Sequence, residues 1–189
     1  MKKNVVRICG GEFSGRTLLS ASNQNLRPTS HRVKKSMFDI IGNSIMNTCF
    51  LDLFAGTGAV GLEALSRGAA ICVFVEKQPS IFKILLKNTD FIRQYKKIEL
   101  KTGDALVWLP KLLHQFTFDY IYIDPPYGLD YNNKVIHCIL NHLTFISETT
   151  LIFEYSVNAD LKRLSLEFEI LRMCRYGQTQ LSFCRVLGV

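Results

Sequence analysis

The residues with the clearest chemical potential are Asp124, Pro125, Pro126 and Tyr127. They follow the run Tyr120–Ile123, whose β-branched and aromatic side chains predict a buried strand. Each proline biases the residue before it toward extended geometry, so the carbonyl groups of Asp124 and Pro125 are not used in a helical turn. The strand is therefore expected to end in a carboxylate, an oriented carbonyl and an aromatic ring, at the edge where open α/β sheets bind ligands.

These groups suit a planar amino group attached to an aromatic ring. Such a group has two N–H donors, which a carboxylate oxygen and a backbone carbonyl can accept together while Tyr127 covers the ring. Its nitrogen is a poor nucleophile because the lone pair is delocalised, and acceptors placed off the ring plane would favour a pyramidal nitrogen. The alternative is a turn that only ends the strand, in which Asp124 caps the next helix and Tyr127 packs.

A second candidate site is the glycine-containing turn after a predicted strand over residues 49–54. Gly56, Gly58 and Gly61 match the GxGxxG pattern, in which small residues allow close backbone approach beside a helix N-terminus. Glu76 ends the next predicted strand. The same combination is typical of a dinucleotide fold, so an NAD-dependent oxidoreductase is one alternative.

Three features favour S-adenosylmethionine over NAD. Asp52 could face an ammonium group and is ill suited to a pyrophosphate; Asp104, within Gly103-Asp104-Ala105, suits an adenine amino group. No residue resembles the proton donor of a hydride-transfer site. Glu76 could accept from the ribose hydroxyls of either cofactor. In the purely structural alternatives Asp52 makes a local turn bond, Asp104 caps a helix and Glu76 is a surface acid.

The composition indicates one globular domain. The chain has 189 residues, of which 48% are hydrophobic, and this excludes general disorder. No apolar run reaches membrane-spanning length, and no signal-peptide core follows the N-terminal lysines. The six cysteines are scattered without a CxxC pair, which indicates reduced thiols, no metal site and a cytoplasmic protein.

Positive charge is concentrated near the N-terminus. Residues 1–47 contain eight lysines and arginines against two acids, a net charge of +6, whereas the whole chain carries +7. Such a segment is typical of a polyanion-binding surface, although a solvated basic surface is the simpler alternative. Within it, strand-like runs on both sides of residues 10–15 predict a β-hairpin, and a helix is predicted to begin near residue 29 or 30.

From residue 49 onward, strands alternate with helices, which predicts a mostly parallel sheet wound on both faces. The predicted strands cover residues 49–54, 71–75, 98–101, a run ending at Asp124, and 151–155. The predicted helices cover residues 60–66, 79–94, 106–113 and 133–143. Residues 168–173 and 180–187 are expected to form a closing pair of strands.

Four motifs resemble those of class I S-adenosylmethionine-dependent methyltransferases that modify exocyclic amino groups. They are the run 54–58 (Phe-Ala-Gly-Thr-Gly), Glu76, the run 103–105 and the run 124–127. The N-terminal part resembles the bacterial 16S ribosomal RNA guanine-N2 methyltransferases of the D type, through runs 7–11, 15–16 and 26–34. The resemblance covers essentially the whole chain, including Glu154 and run 176–181. His31 and Lys35 depart from the pattern, where Asp and Glu are usual, and both add positive character.

The resemblance implies an α/β Rossmann-like fold: a mostly parallel, doubly wound sheet with an antiparallel closing strand, plus a small N-terminal β-hairpin and helix. It implies an RNA-binding hairpin extension at residues 1–24 and a methyltransferase domain at 25–189. The implied catalytic residues are Asp124, Pro125, Pro126 and Tyr127. The implied S-adenosyl-L-methionine contacts are Asp52, Phe54, Ala55, Gly56, Thr57, Gly58, Glu76, Lys77, Gly103, Asp104, Ala105 and Asp124. The implied RNA contacts are Arg7, Arg16, Arg27, Thr29, Arg32 and Lys34.

The implied reaction is methyl transfer to the exocyclic N2 of a specific guanine in 16S ribosomal RNA, within an assembled or assembling small subunit. The resemblance further implies a monomer that acts in the cytoplasm without a metal ion or a membrane. An adenine-N6 nucleic-acid methyltransferase and a protein glutamine methyltransferase share the chemistry. A non-catalytic RNA-binding assembly factor is an alternative from a different class.

Overall fold

A computed structural model describes residues 5–20, 31–126, 131–159 and 162–187. The strands are β1 (Val6–Arg7), β2 (Thr17–Leu18), β3 (Cys49–Asp52), β4 (Ile71–Glu76), β5 (Lys97–Thr102), β6 (Tyr120–Ile123), β7 (Thr150–Ser156), β8 (Phe168–Tyr176) and β9 (Thr179–Val186). The α-helices are α1 (His31–Ile41), α2 (Ala59–Ser66), α3 (Pro79–Thr89), α4 (Ala105–Gln115), α5 (Tyr131–Leu140) and α6 (Lys162–Glu167). Two short 3₁₀ helices cover Gly42–Ile45 and Leu143–Phe145.

The main sheet has seven strands in the order β5-β4-β3-β6-β7-β9-β8. Strands β3 to β7 pair in parallel, while β9 is antiparallel to both β7 and β8. The order reverses between β3 and β6, so their carboxyl ends form the switch point at which doubly wound sheets bind ligands. The predicted Rossmann-like architecture is confirmed, with two antiparallel strands closing the sheet.

Both faces of the sheet are covered by apolar helix surfaces. On one face α1, α2, α3 and the N-terminal hairpin share a core that includes Met37, Leu62 and Leu85. On the other face α4 and α5 pack through residues such as Leu109 and Ile136. Because the central parallel strands β3, β4 and β6 are buried on both sides, they appear in the sequence as nearly continuous apolar runs.

The hairpin of β1 and β2 packs against the end of α2. Its residues Ile8 and Leu18 are buried in the same core as the helices. The backbone N–H of Glu12 donates to the carbonyl of Ser66 at 2.8 Å. Gly11 has a φ of +77°, and an added Cβ there would lie 1.9 Å from the same carbonyl oxygen. The hairpin therefore requires glycine at its closest approach to α2, and the division of the chain at residue 24 stays a prediction.

Several boundaries differ from the predicted ones. Helix α3 ends at Thr89 rather than at residue 94, and beyond it the N–H groups of Ile92 and Tyr95 bond to carbonyls three residues back, at Thr89 and Ile92. Helix α4 is longer than predicted at both ends. Helix α6 was not predicted at all.

Candidate active site

The two glycines in the turn after β3, Gly56 and Gly58, have different surroundings. Gly58 has a φ of +85°, and an added Cβ would lie 2.5 Å from Cδ1 of Leu85. Gly56 has a φ of +54°, yet the space beside it is open to 4 Å. The N–H of Ala55 donates to the carbonyl of Val75 at 2.9 Å, which ties the turn to β4. The loop therefore approaches the helix behind it closely and leaves open space in front of Gly56.

Glu76, at the end of β4, organises this loop. One carboxylate oxygen accepts the N–H of Gly56 at 2.9 Å, and the other accepts the N–H of Gln78 at 2.6 Å. Burial raises the pKa of Glu76, and the backbone N–H donors act against that shift. Each oxygen can accept more than one hydrogen bond, so the carboxylate keeps acceptor capacity for a hydroxyl group.

Asp52 lies beneath the loop. Its side chain is 1% exposed, and Oδ2 accepts the N–H of Gly61 at 2.9 Å. Burial raises the pKa of this carboxyl to about 7; the Gly61 bond lowers it and the charge of Glu76 raises it further. The local hydrogen bond is therefore present, and contact of Asp52 with an ammonium group stays a prediction.

Asp104 caps α4 and also joins the rim of the site. Oδ1 accepts the N–H of Leu106 at 2.9 Å, while Oδ2 lies 2.8 Å from Lys77 Nζ and 3.2 Å from the Tyr131 hydroxyl. The hydrogen bond from Lys77 is the main reason why the pKa of Asp104 is lowered. The ring of Tyr131 also contacts Phe54 edge to face, at 5.8 Å between centroids. Residues that follow β3, β4 and β5 therefore meet Tyr131 of α5 at one rim.

The remaining loop residues lie in the same region. Gly103, with a φ of +136°, donates its N–H to the carbonyl of Glu76 at 3.0 Å. The carbonyl of Thr57 accepts the side-chain amide of Asn88 at 2.9 Å. Ala105 is buried as the first residue of α4. The structure therefore brings the predicted cofactor residues of three strands to one edge of the sheet.

The predicted catalytic segment begins directly after β6. Asp124 is half-buried, Pro125 is buried and Pro126 is exposed. These residues stand at the carboxyl end of the strand that pairs with β3, so they adjoin the glycine loop. Tyr127 lies outside the described residues, as do Arg27 and Thr29.

Glu154 is an acid in this region to which the sequence assigned no role. It is 6% exposed, and its Oε2 accepts the hydroxyl of Tyr122 at 2.5 Å. The only feature of the sequence that could have pointed to Glu154 is its position directly after the apolar run 151–153. A carboxylate in such a position needs polar partners that local periodicity does not reveal.

The predicted RNA contacts divide into exposed and buried residues. Arg7, Arg16 and Arg32 are exposed. The guanidinium of Arg16 lies over the ring of Phe91, 3.7 Å from its centroid, which orients the charge without neutralising it. Lys35, which departs from the family pattern, pairs with Asp39 at 2.6 Å on the surface.

The prediction that Lys34 contacts RNA phosphates is wrong. The side chain is 2% exposed, and Nζ lies 3.0 Å from Glu63, which is completely buried. Nζ also donates to the carbonyl of Arg7 at 2.7 Å. Burial acts to raise the pKa of Glu63, but Lys34, the N–H of Cys9 and Arg67 together lower it. Lys34 therefore joins α1 to α2 and the hairpin.

The described residues contain neither a cluster of metal ligands nor a membrane-spanning helix. Among them, no group of three or more His, Cys, Asp and Glu side chains could hold a metal ion. None of the described helices is long and apolar enough to cross a bilayer.

Comparison with known proteins identifies the family. The family model described as "Conserved hypothetical protein 95" matches residues 6–185. "Ribosomal RNA small subunit methyltransferase D" of Buchnera aphidicola subsp. Acyrthosiphon pisum is 32% identical over 152 residues, which cover 80% of this chain and 78% of that protein. The protein of the same name from Escherichia coli strain K12 is 30% identical over 178 residues, covering 92% and 86%. This chain belongs to the ribosomal RNA small subunit methyltransferase D family.

Solved structures share the fold of this chain. A hypothetical protein from Thermus thermophilus superposes with a TM-score of 0.80 at 28% identity, covering 96% of this chain and all of that one. An RNA methyltransferase from Salinibacter ruber, solved in complex with S-adenosyl-L-homocysteine, has a TM-score of 0.64 at 15% identity and covers 86% and 96%. The second likeness shows the fold alone. The predicted family and fold are both confirmed.

Proposed function

We propose that the protein transfers a methyl group from S-adenosyl-L-methionine to the exocyclic N2 of a guanine in 16S ribosomal RNA. The observation that carries this proposal is the position of Asp124 and Pro125 beside the glycine loop at the switch point of the sheet. Membership of the methyltransferase D family supports methyl transfer and a ribosomal RNA substrate.

The residues around the loop fit S-adenosyl-L-methionine. Glu76 offers a carboxylate for ribose hydroxyls, and the open space in front of Gly56 leaves room for the methionine part. Asp104 and Asp52 suit the adenine amino group and the ammonium group, and Asp52, beneath the loop, is ill suited to a pyrophosphate. When bound, this cofactor supplies an electrophilic methyl group on a sulfonium.

Asp124 and the carbonyl of Pro125 orient the nitrogen that accepts the methyl group. Each accepts one N–H of the guanine amino group, which turns the nitrogen lone pair away from conjugation with the ring. The carboxylate also stabilises the positive charge that develops on the nitrogen, and the released proton passes to Asp124 or to solvent. Tyr127 is proposed to stack on the base, which adds on the order of 1–3 kcal/mol of binding free energy.

The RNA-binding surface is proposed to include the exposed residues Arg7, Arg16 and Arg32, together with Arg27 and Thr29, which shortly precede Arg32 in the sequence. Such side chains bind phosphates and set the position of the protein on RNA. We further propose that the substrate is an assembled or assembling small subunit, and that the protein acts as a metal-free monomer in the cytoplasm.

The direct test is a product analysis. Purified protein is incubated with labelled S-adenosylmethionine and either unmodified small ribosomal subunits, naked 16S RNA or DNA, and the modified nucleoside is identified by mass spectrometry. We expect N2-methylguanosine from one of the RNA substrates. N6-methyladenine would overturn the guanine assignment, and no product despite S-adenosylhomocysteine binding would favour a non-catalytic assembly factor.

A further inference from the structure

Two carboxylates stand at the carboxyl ends of neighbouring strands, Asp124 after β6 and Glu154 in β7. The parallel pairing places Ile123 beside Phe153, so the two acids occupy the next position along their strands. Neighbouring strands lie about 4.8 Å apart, and side chains alternate between the two faces. Both acids therefore project to the sheet face on which Tyr122 is buried. The second acid stands next to the proposed catalytic one.

The contact with Tyr122 orients Glu154. The Tyr122 hydroxyl donates to Oε2 at 2.5 Å, and the two side chains are 1% and 6% exposed. Because the Tyr122 hydroxyl is the donor in this bond, the Glu154 carboxylate acts only as an acceptor. The buried contact also restricts the rotamers of Glu154. The buried Tyr122 hydroxyl requires an acceptor, and a carboxylate that fills this role can accept further hydrogen bonds through its two oxygens.

The chemistry of the guanine edge matches two neighbouring acceptors. Guanine carries the N1–H donor directly beside its amino group at C2. A base whose amino group is bound at Asp124 therefore presents N1–H to the adjacent position. Adenine has a lone pair at N1 and cytosine has one at N3, and a carboxylate repels such an atom.

We propose that Glu154 selects guanine by accepting the N1–H hydrogen bond, while Asp124 and the carbonyl of Pro125 accept from N2. This inference rests on the proposed function and adds the residue that determines which base is accepted. A site built to bind a substrate donor rejects analogues that lack it, because the buried acceptor is left unpaired.

The decisive probe is 2-aminopurine, which keeps the amino group at C2 but has a lone pair at N1. A 16S RNA is ligated with 2-aminopurine at the guanine that the wild-type protein methylates, and both RNAs are assembled into small subunits. We expect the wild-type kcat/KM to fall by about 100-fold or more on the 2-aminopurine particle. The Glu154→Gln variant can donate from its amide nitrogen, so its preference for guanine is expected to fall below about tenfold.

2-Aminopurine also lacks the O6 atom of guanine, and this loss affects the wild type and every variant equally. Comparing the preference for guanine over 2-aminopurine between proteins therefore isolates the role of Glu154. Tyr155→Phe is the matched control: Tyr155 is the next residue of β7, and its hydroxyl contacts Ser182 Oγ at 2.7 Å in the core on the opposite face. We expect Tyr155→Phe to retain the full preference. Tyr122→Phe removes the orienting donor and is expected to give an intermediate preference.

Calorimetric binding of S-adenosylhomocysteine tests whether each variant is folded. If Glu154→Gln does not bind it, Tyr122→Phe carries the test, and a preference equal to that of the wild type would overturn the inference. A folded Glu154→Gln variant with an unchanged preference would overturn it while leaving the proposed function intact. A wild-type protein that forms no N2-methylguanosine on the guanine particle would overturn both.

Discussion

Asp124 and Asp119 flank the same strand, β6; Asp124 is the carboxylate proposed to be catalytic, and Asp119 has a structural contact. Asp119 accepts the N–H of Cys49 at 2.7 Å at the amino end. We expect Asp124→Asn to lower kcat by roughly 10²–10⁴-fold, because the amide neither neutralises positive charge nor takes up a proton. Binding of S-adenosylhomocysteine should change little. Near-normal turnover in this variant, with Asp119→Asn also active, would contradict the role of Asp124.

Asp52 should make stability depend on pH. Its pKa is raised by burial from 3.8 to about 7 in the folded protein. The folded state therefore binds this proton more tightly, so the contribution is complete below about pH 4 and is lost as the pH rises through about 7. Relative to Asp52→Asn, the free energy of unfolding of the wild type should fall by up to a few kcal/mol between about pH 4 and pH 8.

Urea denaturation of both proteins across this pH range measures the effect. Because every other titrating group is shared, the difference between the two curves isolates Asp52. A difference that stays constant with pH would show that the buried carboxyl does not titrate as expected.

The sequence alone singled out Glu76 and Gly58 because neighbouring residues show what each position requires. Glu76 ends an apolar strand, and Gly58 stands in a tight turn between a strand and a helix. Lys34 shows where such reasoning failed. It lies on the apolar stripe of α1 with Met37, Phe38 and Ile41, so the spacing already indicated burial. Its partner Glu63 lies on another helix, and no sequence period reveals that pairing.

The contact between α1 and α2 provides a test at the level of elements. Lys34→Met leaves Glu63 buried without its lysine, and breaking a buried ion pair costs about 3–5 kcal/mol. Arg67, 2.8 Å from Glu63, should hold the loss toward the lower end of that range. The neighbouring change Lys35→Met removes only an exposed pair and should cost less than about 1 kcal/mol. Equal losses in thermal or urea unfolding would contradict the buried contact.

The docking of the hairpin provides a second test at this level. Gly11 and Gly15 both have positive φ, but only Gly11 approaches the carbonyl of Ser66. Gly15→Ala should cost about 1–2 kcal/mol from backbone strain alone. Gly11→Ala must also displace the hairpin from α2, so it should impair RNA methylation far more while S-adenosylhomocysteine still binds. Similar RNA activity in the two variants would contradict hairpin docking as a requirement.

The central strands β3, β4, β6 and β7 were predictable because each contains an apolar run bounded by turn residues. The end of α3 was not, because the backbone changes to bonds between residues three apart at Thr89, before the apolar pattern stops. The placement of β9 between β7 and β8 also escapes local reasoning, since it depends on which edge accepts a late strand.

Across the whole molecule, the concentration of positive charge predicts a salt-dependent affinity for RNA. Each arginine that neutralises a phosphate contributes about 0.7–0.9 to the slope of log affinity against log salt. Replacing Arg7, Arg16 and Arg32 together with Gln should therefore reduce the slope by about 2. Lys111→Gln is the control, because α4 covers the sheet face opposite the hairpin. Filter binding across a salt series measures the slope, and an unchanged slope would place the RNA surface elsewhere.

The position of β9 has a consequence during synthesis. It is paired on both sides, and Leu181 and Cys184 are fully buried. Strand β7 therefore keeps an open hydrogen-bonding edge until residues 179–186 have left the ribosome. A chain cut short before residue 179 would present this edge to other chains, a known route to aggregation. The sheet can close only when nearly all of the described chain has been made, so translation pauses late in the message should lower the yield more than early ones.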